Sequence, residues 1–287
     1  MSGHALILVL VAALCHALWN IAAKYVDGDR FVFVWSYEFL STVLWLPVGL
    51  VVLAREGWPM SWGLLVGPLV SAVLHIAYSL TLQTGYDRAA LGVVYPVARG
   101  TGPLLSMIVG ILVLQERPGW HAVIGGLVVI AGVAVVATHR VADSRGLSRE
   151  GLAYGAATGF WIAGYTLWDS HAVGELSLNP LPYFALTVMW QAVLLAPALV
   201  TRRAAFRSTV RRSWRPSLAI AVLSPVAYIL VLEVMQTTPV SLVAPARESS
   251  IIVGSLLAWW LFREPGPVRK VAGSIVVIAG ITLIAWT

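Results

Sequence analysis

Charged residues are scarce in this chain of 287 amino acids. They make up 11% of the sequence, whereas hydrophobic residues make up 59%. Soluble domains average about 25% charged residues, and so small a share would not cover the surface of a water-soluble fold of this length. We therefore predict an integral membrane protein whose surface mostly faces lipid.

Patterns that hold metals, phosphates or disulfides are also missing. The single cysteine, Cys15, excludes an internal disulfide. The acidic residues outside the apolar runs are scattered, and neither a glycine-rich phosphate loop nor a metal-ligand spacing is present. These absences argue against an ATP-driven pump and against a metal-dependent enzyme, so we expect no cofactor and no catalytic residue.

Apolar runs long enough to cross a bilayer recur along the whole sequence. A spanning helix needs roughly 20 mostly apolar residues, and such a run must be helical because lipid offers no partner for backbone polar groups. We place spans at 4–24, 31–54, 62–84, 89–114, 119–138, 151–170, 181–201, 217–236, 239–262 and 267–286. The sequence therefore predicts an all-α protein with ten transmembrane helices.

The basic residues fall mostly on one side of these spans. Ten spans put both termini on the same side, where Arg55 and Arg117 are the basic loop residues. Two more arginines lie within spans, and the other fifteen of the 19 Lys and Arg residues are in loops on the opposite side. Because positive residues stay cytoplasmic, we predict a cytoplasmic-membrane protein with both termini outside. The dense run from Arg202 to Arg215 is then a cytoplasmic loop that faces anionic lipid rather than nucleic acid.

The second half of the sequence repeats the first. Residues 95–137 align with residues 243–285 at an offset of 148, and Ala77-Tyr78 aligns with Ala227-Tyr228 at an offset of 150. Five spans per repeat is an odd number, so the two halves enter the membrane in opposite directions, as in many secondary transporters. We expect a first repeat in 1–138, a linker in 139–150 and a second repeat in 151–287. A duplication kept only for packing is the alternative.

Several segments carry a family resemblance in this order. They are Leu18-Trp19-Asn20 followed by Lys24, then Tyr95-Pro96-Val97-Ala98-Arg99, then Leu114-Gln115-Glu116-Arg117-Pro118. With the glycine-bearing fifth span, the chain resembles the EamA-type members of the drug/metabolite transporter superfamily over essentially its whole length. The resemblance implies ten helices around a central cavity, lined mainly by helices 1, 3, 4, 6, 8 and 9, and alternating access without ATP. It implies no particular substrate. Familiar members have a charge bias that places both termini in the cytoplasm, and this sequence departs from that pattern.

Two arginines stand at equivalent positions near the centre of the membrane. Arg99 and Arg247 each lie about ten residues into their spans, where an arginine costs about 2.5–3.5 kcal/mol on insertion scales. One interpretation is a pair of anchors for an anionic substrate group, because guanidinium binds carboxylate or phosphate in bidentate fashion. The other is an internal ion pair, since Glu248 is adjacent to Arg247 and Glu38 lies midway through the second span.

Prolines accompany both arginines. Pro96 and Pro103 bracket Arg99, and Pro245 precedes Arg247. Each proline removes a backbone hydrogen bond and bends or breaks its helix. The freed backbone groups either face a ligand or serve only as a hinge.

Titratable residues inside the spans are candidates for coupling to protons. His75 is the first candidate, because the pKa of histidine ordinarily lies near physiological pH, and Glu38 is the second. A fixed hydrogen-bonding role is the alternative for His75. Glu233 is expected to be solvated at the interface.

Aromatic residues on the same helices are candidates to line the cavity and stack on a substrate. They are Trp19, Tyr78, Tyr95, Trp161, Tyr165 and Tyr228. Packing alone is the alternative for each, and the ladder Gly151, Gly155 and Gly159 is expected to serve close helix packing.

These observations favour a secondary-active transporter. Its expected partners are the lipid bilayer and a small polar organic metabolite with an anionic or zwitterionic group, and no nucleic acid. The substrate would bind at Arg99, Arg247, Glu248, His75 and the six aromatic residues. A membrane enzyme or flippase acting on a lipid-linked substrate is the alternative. The sequence does not define an oligomeric state.

Overall fold

A computed structural model describes residues 1–59, 61–89, 91–137, 149–262 and 267–286. Within these ranges the chain forms helices and turns and contains no β-strand. The helices are α1 (Gly3–Ala22), α2 (Arg30–Arg55), α3 (Trp62–Arg88), α4 (Leu91–Leu112), α5 (Trp120–Ala137), α6 (Arg149–Gly174), α7 (Pro180–Leu195), α8 (Arg203–Met235), α9 (Val240–Arg247), α10 (Ser249–Phe262) and α11 (Pro267–Ala285). Short 3₁₀ helices follow α1 and α7. The expected linker falls mainly outside the described residues.

Four helical stretches in these ranges are long and apolar enough to cross a membrane. They are Gly3–Ala22, Arg30–Arg55, Trp62–Arg88 and Pro180–Met235, and shorter apolar helices lie at Trp120–Val135 and Val271–Ala285. The composition and the helices are those of a multi-pass membrane protein. The count of ten spanning helices stays a prediction.

The predicted ninth span is wrong as a single helix. α9 ends at Arg247 and α10 begins at Ser249, so that Glu248 lies between two helices. The N–H of Glu248 donates to the carbonyl of Pro245 at 3.0 Å, and the N–H of Ile251 donates to the carbonyl of Glu248 at 2.9 Å. These bonds span three residues rather than four, so the chain makes tight turns here. In the first repeat, by contrast, α4 continues unbroken through Arg99 despite its prolines.

The arginine-rich segment after residue 202 is also helical, not the loop that the sequence predicted. α8 runs for 33 residues, and its small polar side chains bind the turn between α1 and α2. The N–H of Asp29 donates to Oγ1 of Thr209 at 3.0 Å, and the N–H of Asp27 donates to Oγ of Ser213 at 3.0 Å. The exposed face carries arginines at four-residue spacing, namely Arg203, Arg207, Arg211 and Arg215. The charge run is therefore one side of an amphipathic helix.

Contacts between the helices follow a two-fold pattern. The repeat pairs α1 with α6, α2 with α7, α3 with α8, α4 with α9 and α10, and α5 with α11. When each helix is replaced by its counterpart, the α1–α8 packing becomes the α6–α3 packing. The same exchange turns α4–α6 into the contacts of α1 with α9 and α10, and it maps α5–α11 and α2–α7 onto themselves. A relation of this kind is what the sequence repeat leads us to expect.

Glycines allow the closest helix approaches. A Cβ on Gly125 of α5 would lie 2.6 Å from the carbonyl oxygen of Gly280 in α11, and one on Gly280 would lie 2.7 Å from that of Gly125. In α6, a Cβ on Gly155 would lie 2.6 Å from Cβ of Val97, and one on Gly159 would lie 2.6 Å from Cβ of Thr101. The glycine ladder of α6 thus serves close packing against α4, as expected.

Glu116 connects the two repeats at the start of α9. Its Oε1 accepts a hydrogen bond from the N–H of Val240 at 2.8 Å, and its Oε2 accepts one from the N–H of Ser241 at 2.9 Å. The first N–H groups of a helix have no partner within the helix, and negative charge is favourable there. Glu116 therefore fixes α9, which carries Arg247, against the chain that follows α4.

Candidate functional site

The break between α9 and α10 places two charged residues inside the protein. Arg247 and Glu248 are buried, with exposed fractions of 7% and 0%. A charge at this depth is costly unless it is paired or faces a cavity. The groups around these two residues therefore define the candidate site.

Arg99 of α4 pairs with Glu248 across the two repeats. Its Nη1 donates to Oε1 of Glu248 at 3.4 Å, and its Nη2 lies 2.7 Å from Nε2 of His16 in α1. Guanidinium has only donors, so Nε2 of His16 accepts and its ring proton is on Nδ1. The guanidinium carbon is also 5.5 Å from the ring centre of Tyr95. The internal ion pair considered from the sequence therefore exists, but the partner of Glu248 is Arg99 and not its neighbour Arg247.

Arg247 has fewer partners than Arg99. Its Nη2 donates to Oη of Tyr165 at 3.1 Å, and its guanidinium carbon is 5.8 Å from the ring centres of both Tyr165 and Tyr228. Among the described residues, its Nε and Nη1 have no hydrogen-bond partner, and neither has Oε2 of Glu248. Buried polar atoms without partners are rare in folded proteins, so these are the atoms available to a ligand.

The surroundings of the two arginines are related by the repeat but are not identical. Leu18-Trp19-Asn20 aligns with Leu167-Trp168-Asp169 at an offset of 149, which matches His16 with Tyr165. Each arginine thus contacts the equivalent residue of its own repeat. Glu248 breaks the relation, because Gly100 occupies its place in the first repeat.

Aromatic rings from α3, α6 and α8 surround Arg247. The ring of His75 stacks on Tyr165 with centres 4.0 Å apart, and Tyr78 meets the same ring edge-on at 5.7 Å. Tyr228 lies 5.4 Å from His75. The Nδ1–H of His75 donates to the carbonyl of Ser71 at 2.9 Å, so in the neutral ring Nε2 is the acceptor nitrogen. Four ring-bearing residues predicted from the sequence therefore come together beside Arg247, namely His75, Tyr78, Tyr165 and Tyr228. The coupling role of His75 stays a prediction.

The other predicted residues lie at the edge of this cluster or outside it. Trp19 packs edge-on against His16 with centres 4.9 Å apart, on the Arg99 side. Trp161 contacts Phe160, and no described contact joins it to either arginine. Glu38 is buried in α2, and in the described ranges it too has no contact with the arginines. Glu233 is exposed, as expected from the sequence.

Asp169 is a buried site residue that the sequence did not single out. Its Oδ1 accepts a hydrogen bond from Oη of Tyr183 at 2.7 Å, and its Oδ2 accepts one from Oη of Tyr228 at 2.6 Å. Trp168 Nε1 donates to the carbonyl of Gly67 at 2.9 Å, and the Tyr183 hydroxyl also lies 3.4 Å from that oxygen. These bonds connect α6 with α3, α7 and α8. The alignment of Asp169 with Asn20 of the first repeat is the signal that would have revealed it.

A cavity of about 580 Å³ opens where α2 ends and α3 begins. Glu56, Asn179 and Glu233 are among its polar lining residues. Leu178 lines it as well and reaches the interior, because a Cβ on Gly67 would lie 3.5 Å from Leu178 and 3.2 Å from the ring of Tyr183. Leu178 of the cavity wall and Tyr183, whose hydroxyl bonds Asp169, therefore both approach Gly67. Within the described residues no cluster of His, Cys, Asp or Glu that could hold a metal ion occurs.

Comparisons with known proteins agree with this architecture. Residues 3–138 and 149–286 each match the EamA-like transporter family. A crystal structure of another protein superposes with a TM-score of 0.80 at 15% identity, over 100% of this chain and 98% of that one, which shows a common fold. No curated protein matches the sequence. Because the two matched ranges include nearly the whole sequence, the chain belongs to the EamA-like transporter family of the drug/metabolite transporter superfamily.

Proposed function

We propose that the protein is a secondary-active transporter of a small polar organic metabolite that carries an acidic group. The observation that carries the proposal is Arg247, a buried cation whose Nε and Nη1 have no partner in the described structure. A guanidinium in this state suits a carboxylate, phosphate or phosphonate. Family membership supports transport rather than catalysis.

Arg99 has a different part in the proposal, because Glu248 already neutralises it. It becomes available to a substrate only when Glu248 releases it. Oε2 of Glu248 is the complementary acceptor for a hydroxyl or ammonium group of the substrate. The binding residues that we propose, besides the two arginines and Glu248, are His75, Tyr78, Tyr95, Tyr165, Tyr228, Trp19 and Trp161, whose rings would contact the organic part.

Alternating access between the two repeats is the mechanism that we propose. The two-fold helix contacts support it, since inverted repeats commonly exchange conformations around a fixed central site. We place the protein in the cytoplasmic membrane with both termini outside, on the basis of the charge bias of the loops.

Ligand-dependent thermal stability tests the substrate class. The full-length protein in detergent would be heated with amino acids, phosphonates, sugar phosphates and quaternary amines, because a ligand that binds the folded state raises its unfolding temperature. We expect stabilisation by compounds with an acidic group and a loss of that stabilisation in Arg247→Ala. Stabilisation by quaternary amines alone would contradict the proposal.

A further inference from the structure

We propose that Asp169 is a proton-binding site that couples transport to the proton gradient. The inference rests on the proposed transport function, although its first test needs no substrate. Asp169 is fully buried in α6, and both of its carboxylate oxygens accept hydrogen bonds from tyrosine hydroxyls. No cation forms an ion pair with it among the described residues. The two hydrogen bonds stabilise the ionised carboxylate, but burial without a cation remains costly for it, and binding a proton removes that remaining cost.

The hydrogen bonds around Asp169 can accommodate this proton. In the ionised state, Tyr183 and Tyr228 both donate to the carboxylate. When a proton binds Oδ1, the new O–H donates to Oη of Tyr183, whose own hydroxyl hydrogen turns to the carbonyl oxygen of Gly67 at 3.4 Å. Tyr228 continues to donate to Oδ2. One proton is taken up, no covalent bond breaks, and every hydroxyl keeps an acceptor.

The position of Asp169 connects proton binding with the candidate substrate site. On one side Tyr183 packs against Gly67, next to the Leu178 wall of the cavity. On the other side Tyr228, which bonds Asp169, lies 5.8 Å from the guanidinium carbon of Arg247 and 5.4 Å from the ring of His75.

Tyr183 from α7 and Tyr228 from α8 bond Asp169 directly. His75 from α3 and Arg247 from α9 lie one ring further away, against Tyr228. Neutralising Asp169 removes a negative charge from the neighbourhood of Arg247, which strengthens the attraction of that arginine for an anion. Proton binding and anion binding then favour each other, as linkage requires, and the proposal specifies proton–anion symport.

Infrared difference spectroscopy measures the protonated carboxyl group directly. The purified protein would be titrated without substrate, and the C=O stretching band of a buried carboxylic acid followed as the pH is lowered. We expect Asp169→Asn to lose one component of this band, and Tyr183→Phe, which removes the proton's hydrogen-bond partner, to shift the frequency of that same component. Glu38→Gln, which removes another buried carboxyl, serves as the matched control and should keep the component that Asp169→Asn loses. If Asp169→Asn loses no component of the band, or if Glu38→Gln loses the same component, the proposal is overturned.

Uptake into proteoliposomes tests the coupling. With an acidic substrate found by the thermal screen, an inward proton gradient should drive accumulation in the wild type. Asp169→Asn should lose this accumulation while losing far less of the substrate exchange across the membrane. Accumulation that persists in Asp169→Asn but is lost in His75→Gln would overturn the assignment in favour of His75. An infrared band at Asp169 in a protein that moves no substrate would contradict the proposed function and leave the proton site standing.

Discussion

Arg99 and Glu248 form a buried ion pair between the two repeats, although 149 positions separate them in sequence. The distance from Nη1 to Oε1 is 3.4 Å, whereas charge-assisted hydrogen bonds of this type usually measure about 2.7–2.9 Å. The contact is therefore long, and it satisfies only one of the two carboxylate oxygens of Glu248. We therefore expect this pair to exchange its carboxylate for the anion of the proposed substrate.

A double-mutant cycle tests the coupling of this pair. Arg99→Ala leaves the charge of Glu248 buried without its cation, and removing one partner of a buried pair costs about 3–5 kcal/mol in unfolding free energy. Combining it with Glu248→Gln should restore part of the loss, as measured by thermal unfolding in detergent. The combination of Arg247→Ala with Glu248→Gln is the control and should be closer to additive. Equal restoration in both combinations would show that the ion pair is not specific to Arg99.

Substitutions of Arg247 separate charge from geometry. Arg247→Ala should weaken the binding of an acidic ligand by roughly ten- to a hundred-fold, because a hydrogen bond to a charged group contributes about 1.5–3 kcal/mol. Arg247→Lys keeps the charge but loses the planar fork, so its loss should be smaller but measurable. Calorimetric titration of the purified protein gives the affinities. Arg207→Ala, on the exposed face of α8, should bind like the wild type, and an equal loss there would point to a general charge effect.

Cysteine labelling on intact cells tests the orientation. A cysteine in place of Ser2 should react with an impermeant maleimide, and one in place of Ser208 should not, in a background where Cys15 is replaced by alanine. Both serines are exposed. Ser2 directly precedes α1, and Ser208 lies in the second turn of α8. The reverse labelling pattern would invert the protein in the membrane without changing its fold.

The close contact between α5 and α11 predicts that glycines differ in how well they tolerate replacement by alanine. Gly280→Ala should destabilise the protein by about 1–3 kcal/mol, the usual cost of overpacking, because the new Cβ would meet backbone atoms of Gly125 and Val129 at 2.7 and 2.8 Å. Gly254→Ala is the matched control, since its Cβ would come no closer than 3.8 Å to Ala17. Thermal unfolding of the two variants provides the comparison, and equal stability would exclude a close contact at Gly280.

Much of the helix layout follows from the sequence for simple physical reasons. Uninterrupted apolar runs must be helical in lipid, and the repeat places Arg99 and Arg247 at equivalent depths. Both arginines are indeed buried close to Glu248 and the tyrosines. The prediction of a loop at the arginine run of α8 is wrong, because the high charge hides a four-residue period. Thr209, Ser213 and Ser217 form the buried face of that helix.

The remaining features depend on partners that are distant in the sequence. Prolines occur near the arginine in both repeats, yet the helix is interrupted only in the second repeat, at Glu248. The ion-pair partner of Glu248 is Arg99, which lies in the first repeat. Asp169 resembles any acidic residue at the end of a span until Tyr183 and Tyr228 approach it. The helix propensity of neighbouring residues therefore predicts neither the interruption at Glu248 nor the hydrogen bonds of Asp169.

The replacement of Gly100 by Glu248 in the second repeat has an energetic consequence for the proposed cycle. If the two halves were identical, exchanging their conformations would interconvert two end states of equal free energy, and each would be populated equally at rest. A carboxylate present on one side of the two-fold relation, hydrogen-bonded to Arg99 and not to Arg247, contributes to removing this degeneracy. In the proposed cycle we therefore expect one end state to be preferred even without a gradient, and Glu248 to be one source of that preference.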